Sequence, residues 1–206
     1  GDLMEFYDLS RFARHFVSVT VAEEFEMSRD EVLSPLRKVY KGKINYVYGN
    51  HEFRMDSYLA AHAKELQSLI GLSVEEQLQL KKFKISWNYS GNRESWFKWG
   101  AILIGHWAKA LRQPGAAARE LATQYGQSVI QGHTHKRGET IIRLYDRHIG
   151  AYEYGCLCSL APPWEASPNW VHGFCVVYRK EDKNRYGVTR VVMIDEKLVF
   201  EGREFC

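Results

Sequence analysis

Ile44-Asn45-Tyr46-Val47-Tyr48-Gly49-Asn50-His51-Glu52 is the run from which the rest of the chain can be read. Four of its first five residues are β-branched or aromatic, as a short buried strand requires, and Gly49 ends them at once. Asn50 and His51 therefore fall in a loop directly after a strand. The pattern recurs. Ala101-Ile102-Leu103-Ile104 reads as an apolar strand closed by Gly105-His106, and Ser128-Val129-Ile130 as another closed by Gly132-His133-Thr134-His135. Gly1-Asp2 opens the sequence. Functional groups gathered in loops after strands are the habit of α/β proteins.

Helical patterns lie between these strands. Residues 8–27 mix Phe12, Phe16, Val19 and Val21 with charged residues and read as a helix. Ser28-Arg29-Asp30-Glu31 has the form of a capping box, opening a second helix through Leu33, Leu36 and Val39 that stops near Gly42. Residues 114–125, begun by Pro114 and rich in alanine, predict another helix. Residues 53–98 form an insertion. Tyr58 to Leu80 reads as helical, and the part that follows interleaves Lys81, Lys82, Lys84, Arg93 and Lys98 with Phe83, Trp87, Tyr89, Trp96, Phe97 and Trp99. Beyond His135 the chain turns β-rich, with strands expected over 150–160, 171–178 and 188–200. Strands alternating with helices imply stacked sheets with covering helices.

At 206 residues, 45% hydrophobic and 26% charged, the chain fits one domain with a real core. A formal charge of +3 permits an anionic substrate without announcing a nucleic-acid binder. No apolar run approaches the ~20 residues of a spanning helix. No basic-plus-apolar leader opens the chain, so the expected location is cytoplasmic. Cys156-x-Cys158 is too tight for the usual zinc-ribbon spacing. With Cys175 and Cys206 it is expected to be reduced and mostly buried.

The runs supply carboxylate, amide and several imidazoles, a mixture of hard oxygen and borderline nitrogen that suits a pair of divalent transition metals. In extended backbone His133 and His135 would point to the same side. Glycine before Asp2 lets the backbone turn sharply. The intrinsic pKa of a histidine such as His51, about 6.5, suits proton transfer near neutrality. Asp146-Arg147-His148 has the letters of a further ligand pair but reads as a chance loop sequence.

In order and spacing, Gly1-Asp2, Gly49-Asn50-His51-Glu52, Gly105-His106 and Gly132-His133-Thr134-His135 resemble the calcineurin-like metallophosphoesterase superfamily. The stretches 154–160 and 168–174 look like the tail of its phage and bacterial members. The resemblance implies a β-sandwich of two mixed sheets flanked by helices in four layers, spanning residues 1–206 as a single domain. It implies two divalent metal ions, Mn²⁺ first, with Fe, Zn, Co, Ni or Mg as alternatives. Asp2 would bridge them. Asn50, His106 and His133 would complete one ion and His135 would serve the other, while His51 would assist the leaving group rather than ligate. Glu5 takes the family's second acidic place, where a structural role is expected. Arg54 and His172 stand as substrate-side candidates, each against a plain structural role.

The family's first motif, an Asp-x-His before Gly-Asp, has no counterpart, because the sequence begins at Gly1. A fragment lacking the first strand, a natively short one-metal protein, and a site completed by a partner chain are all compatible with that; the fragment is the expected case. The implied activity is hydrolysis of a phosphodiester by metal-activated water, as a nuclease or phosphodiesterase. The aromatic and basic residues at 81–99 could stack on bases and track a backbone, or simply pack under the next strand. A phosphomonoesterase, or a catalytically silent binding or assembly module on the same scaffold, are the alternatives. Oligomeric state is not legible.

Overall fold

The computed structural model of the chain describes residues 1–10, 19–162, 167–180 and 185–205. It is a mixed α/β structure with several sheets and flanking helices. The chain divides into two compact units, residues 1–96 with 106–108, and residues 97–105 with 109–206.

In the first unit a continuous helical run comprises α1 (Val21–Met27), a wider π-helical stretch (Ser28–Leu33) and α2 (Ser34–Val39). The capping box sits at its start. The Thr20 side chain accepts from the Glu23 amide, and Glu23 reaches back to the Thr20 amide. The box expected at Ser28–Glu31 is not formed, because Ser28 lies inside the run and its hydroxyl turns to Met4 Sδ. Of the helix expected over 8–27, residues 11–18 lie outside the described residues; before them Tyr7–Leu9 is a single 3-10 turn. Arg37 closes α2 by donating to the carbonyls of Tyr40, Gly42, Phe83 and Lys84.

Strand β1 (Ile44–Val47) forms where the sequence places it and pairs in parallel with β2 (Ile85–Asn88), Ile44 opposite Ile85. A parallel pair needs a long crossover, and the insertion supplies it. That crossover is not one helix. It breaks into α3 (Glu52–His62), 3-10 turns at Lys64–Leu66 and Ile70–Leu72, and α4 (Val74–Gln77). Ala63 and Ser73 adopt non-helical backbone that interrupts it. The core gathers Met4, Phe6, Phe25, Leu33, Tyr48, Val74, Leu78, Leu80 and Ile85. Phe83 and Trp87, two of the aromatic residues of the 81–99 segment, pack against that core, whereas Trp96 is exposed.

The second unit holds a five-stranded sheet in the order β3-β4-β5-β7-β6, built from β3 (Ser95–Trp99), β4 (Ile102–His106), β5 (Ser128–Gln131), β6 (Arg137–Arg143) and β7 (His148–Tyr154). Strands β4, β5 and β7 run parallel, and β6 returns antiparallel on β7. All four residues of β5 are buried, as expected of a central strand covered on both faces. Ile102, Ile130, Tyr152 and Tyr154 pack with Ile104 on Cys175, Val177, Tyr186 and Val188 of a second, antiparallel sheet. That sheet orders β8 (Gly173–Lys180), β9 (Arg185–Ile194), β10 (Lys197–Phe200) and β11 (Arg203–Phe205) in succession. By strand alternation Val129 and Ala151 face the other way, where α5 (Ala116–Tyr125) covers β5 and β7 with Ala117, Ala118, Leu121 and Ala122 buried. Gly126, at φ 60, ends α5 in a Schellman arrangement, with Gln127 N donating to Ala122 O and Gly126 N to Thr123 O.

Two expected strands end early. The one over 150–160 stops at Tyr154, since Gly155 turns at φ +85 and a β-carbon there would lie 2.3 Å from Val171 O. The one over 188–200 is a hairpin, turned at Asp195 and Glu196, which both carry positive φ as a type I′ turn demands. Asp-Glu lacks the glycine that usually announces such a turn.

Candidate functional site

The first unit brings Asp2, Asn50, His51, Arg54 and His106 together. The Asp2 and Gly49 loops touch backbone to backbone: a β-carbon on Gly49 would lie 2.7 Å from Asp2 N and one on Gly1 2.6 Å from Gly49 N. Glycine is required at both places because nothing larger fits. One buried carboxylate organises the crossing. Glu52, fully buried, accepts from the amides of Asp2 (2.9 Å), Leu3 (2.8 Å), Met4 (3.2 Å) and Gly49 (2.6 Å), and from the Tyr46 hydroxyl (2.6 Å).

On this support Asp2 takes a left-handed backbone, φ 57, and turns its carboxylate toward His106, Oδ2 to Nε2 3.0 Å. The same imidazole nitrogen lies 3.1 Å from Asn50 Oδ1. Asp2 Oδ1 accepts from the amide of His51, the N-cap of α3, so the carboxylate also meets the positive end of a helix. Burial pushes the Asp2 carboxyl up, but the hydrogen bond and charge of His106, joined by His51, outweigh it and hold the group well below the usual carboxylate range. His51 extends Nε2 to 3.9 Å from Asp2 Oδ2 and Nδ1 to 3.5 Å from Glu5 Oε2. Burial opposes a proton on His51, yet Glu5 and Asp2 together raise its pKa above the ordinary histidine value. Arg54 donates to Glu5 O at 2.5 Å and lies 3.5 Å from its carboxylate, so it is tied down by Glu5.

Donors separated by about 3 Å match neighbouring ligands on an octahedral ion with bonds near ~2.1 Å. A carboxylate oxygen, an amide oxygen and an imidazole nitrogen form a set suited to Mn, Fe, Co, Ni or Zn. The arrangement therefore fits a divalent cation, with a proton-bearing imidazole close by.

In the second unit His133 and His135 are not extended. Their φ values are 72 and 57, a region that residues with a β-carbon seldom adopt and that collects at functional sites. The same-side argument for two extended residues therefore does not hold. The loop is pinned by a second buried glutamate. Glu153 accepts from the Gly115 and Ala118 amides, 3.0 Å each, and from Thr134 Oγ1 at 2.9 Å. It thereby satisfies orphan N–H groups at the start of α5. His135 stands with Cys156 and Cys158, their ligating atoms all within 4.8 Å of one another. Cys156 is half-buried and Cys158 exposed, against the expectation of mostly buried cysteines: the turn at Gly155 lifts them out of the sheet. A hydrogen bond from Cys158 holds the Cys156 thiol down to about 7 against its burial, and Cys158 is pushed up to about 12 by the same partner. Cys206 lies outside the described residues. His172 Nε2 is 2.7 Å from Cys158 O, a structural contact of the kind that competed with its substrate role. Asp146 pairs with Arg147, which also donates to Gly126 O, consistent with an ordinary surface loop.

Glu52, Glu153 and the orienting role of Glu5 escaped the reading of motifs. The signal for Glu153 is a lone carboxylate inside the otherwise uncharged stretch 149–154 of β7. The signal for Glu52 was its place in the Gly49–Glu52 run itself.

No family model matches the chain. It is similar to the gene 54 protein of Mycobacterium phage L5, 27% identical over 154 residues, covering 67% of this chain and 56% of the relative. It is also similar to the gene 54 protein of Mycobacterium phage D29, 26% identical over 144 residues with the same shares covered. The chain thus spans little more than half the length of these curated relatives.

Proposed function

We propose that the chain is a metal-dependent phosphoesterase hydrolysing a phosphodiester, as a nuclease or phosphodiesterase, on a metallophosphoesterase-like sandwich that takes residues 1–206 as one domain. The observation that carries this reading is the meeting of Asp2 Oδ2 and Asn50 Oδ1 on His106 Nε2, at 3.0 and 3.1 Å, with the His51 imidazole beside the same carboxylate. Divalent cations, Mn²⁺ first, would be held by Asp2, Asn50 and His106, with His133 and His135 added by the resemblance. When bound they supply charge neutralisation of phosphoryl oxygens and a water of lowered pKa.

The chain's own residues supply the rest. Glu52 fixes the backbone from which Asp2 and Asn50 project. Glu5 holds His51 by its Nδ1 side and favours the protonated ring. His51 then has a proton to give to the leaving oxygen, a contribution worth typically about 10²–10⁴-fold in rate. The substrate is a phosphate ester, with nucleic acid as its leading class. Among the described residues no helix is long and apolar enough to cross a membrane, and the reading places the protein in the cytoplasm. Similarity to two mycobacteriophage proteins supports a phage source.

The test is hydrolysis of bis-p-nitrophenyl phosphate by the chain after chelation and after Mn²⁺ is restored. Activity lost with chelator and regained with Mn²⁺ is expected. Metal-independent activity would overturn the metal-dependent mechanism, and no activity with Mn²⁺ bound would leave the silent binding module as the better account.

A further inference from the structure

We infer that His135, Cys156 and Cys158 form a binding site of their own for a soft divalent cation of the zinc class. This goes beyond the phosphoesterase reading and takes His135 out of that reading's ligand set. The three ligating atoms lie within 4.8 Å of one another, and Cys158 Sγ is 3.8 Å from His135 Nδ1. A tetrahedral ion with Zn–S near ~2.3 Å and Zn–N near ~2.1 Å spaces its ligands by about 3.6–3.8 Å. The separation already present is thus the edge of such a tetrahedron. Thiolate and imidazole are the donors zinc selects, and two thiolates discriminate against Mg²⁺ and Mn²⁺.

The backbone is shaped for this meeting. His135 is held at φ 57, and its carbonyl accepts from Val171 N at 3.0 Å. Gly155, at φ +85, swings the chain out of β7 immediately before Cys156. Cys156 N donates to Val171 O, Gly173 N to Cys156 O, and His172 meets Cys158 O. Both cysteines are thereby fastened, while the intervening Leu157 points to solvent, 72% exposed. The Trp170 ring meets the His135 imidazole edge-on at 4.3 Å and fixes its orientation. Both thiols are free. Three protein ligands leave the fourth position to water or a substrate group, the arrangement of open zinc sites rather than closed structural ones.

The experiment is Co²⁺ titration of the reduced 206-residue chain, followed by sulfur-to-cobalt charge-transfer absorption and by competition with Zn²⁺. One thiolate-bound Co²⁺ per chain, seen as a charge-transfer band and displaced by Zn²⁺, is expected, whatever further Co²⁺ binds without such a band. Cys158→Ser, at an exposed position that the fold does not need, should abolish or halve the band and weaken binding at least about tenfold. His135→Ala should weaken it similarly, and Cys175→Ser should leave it intact. Absence of a thiolate band, its persistence in both Cys158→Ser and Cys156→Ser, or recovery of a Cys156–Cys158 disulfide under reducing conditions would overturn the inference. Asp2→Asn and His106→Ala separate the two proposals. They should keep the cobalt band whether or not the phosphoesterase reading survives, and that reading is judged by turnover alone.

Discussion

Replacing Glu52 by glutamine changes one atom and should cost the first unit much of its stability. Oε1 accepts from Leu3 N, Met4 N and Tyr46 Oη, and Oε2 from Asp2 N and Gly49 N. A carboxamide keeps only one of the two oxygens. In its better orientation it retains the first three bonds and sets an NH₂ against the Asp2 and Gly49 amides. Two hydrogen bonds to a charged acceptor, at about 1.5–3 kcal/mol each, are then lost. The expected destabilisation is about 3 kcal/mol or more, a large share of the ~5–15 kcal/mol that typically holds a domain folded. For a chain of this size it corresponds to a fall in Tm of at least roughly 6 °C. Glu52→Ala removes all five bonds and should exceed it. Tyr46→Phe removes one and should cost about 1.5–3 kcal/mol. Urea unfolding gives the magnitudes, and hydrogen exchange should show lost protection at the Asp2 and Gly49 amides. A Glu52→Gln protein within about 0.5 kcal/mol of the parent would refute the role given to this carboxylate.

Gly49→Ala places a β-carbon 2.1 Å from Asp2 Oδ1 and 2.7 Å from Asp2 N, so Asp2 must move; Mn²⁺ affinity measured by calorimetry should fall at least about tenfold, comparable to losing a supporting group. Glu153→Gln forces an NH₂ toward either the Gly115 amide and Thr134 or the Ala118 amide, and should cost about 1.5–3 kcal/mol in urea unfolding. Glu24 offers a pH test. Burial raises its pKa above 4.5 despite the amides of Phe6 and Glu5, so its contribution is best while it is protonated and is lost as pH rises through the folded value. Glu24→Gln keeps an oxygen for both amides, and its stability relative to the parent should improve between about pH 4 and about pH 7; a constant difference across that range would contradict the sign.

The strands that lead into the Gly49, Gly105 and Gly132 runs were legible because short stretches rich in apolar and β-branched residues and closed by a glycine leave little choice of structure: β1, β4 and β5 stand where the sequence puts them. Helix α5 was legible from its alanines and from Pro114 just before it, and it ends at Gly126. The letters of Ser28–Glu31 divide into two helices what the structure joins in one run, since Ser28–Glu31 has the letters of a capping box but Thr20–Glu23 has the backbone for it. The helix expected over 58–80 is broken because local interruptions at Ala63 and Ser73 are tertiary choices that leucine spacing does not encode. In the site, the gathering of Asp2, Asn50, His51 and His106 agrees with the motif order. The thiol pair was visible as letters but not as a site, because its third member lies twenty-odd residues upstream and only the fold brings His135 to it. The buried glutamates were invisible for a related reason: their donors are backbone amides, which carry no sequence signature.

The most direct test of the account is Mn²⁺ occupancy and bis-p-nitrophenyl phosphate turnover measured on the same sample, for the parent chain and for His51→Ala. The account predicts that both bind Mn²⁺ and that His51→Ala is slower by about 10²–10⁴-fold. A parent chain that binds Mn²⁺ without turning over, or a His51→Ala protein as fast as the parent, would contradict it.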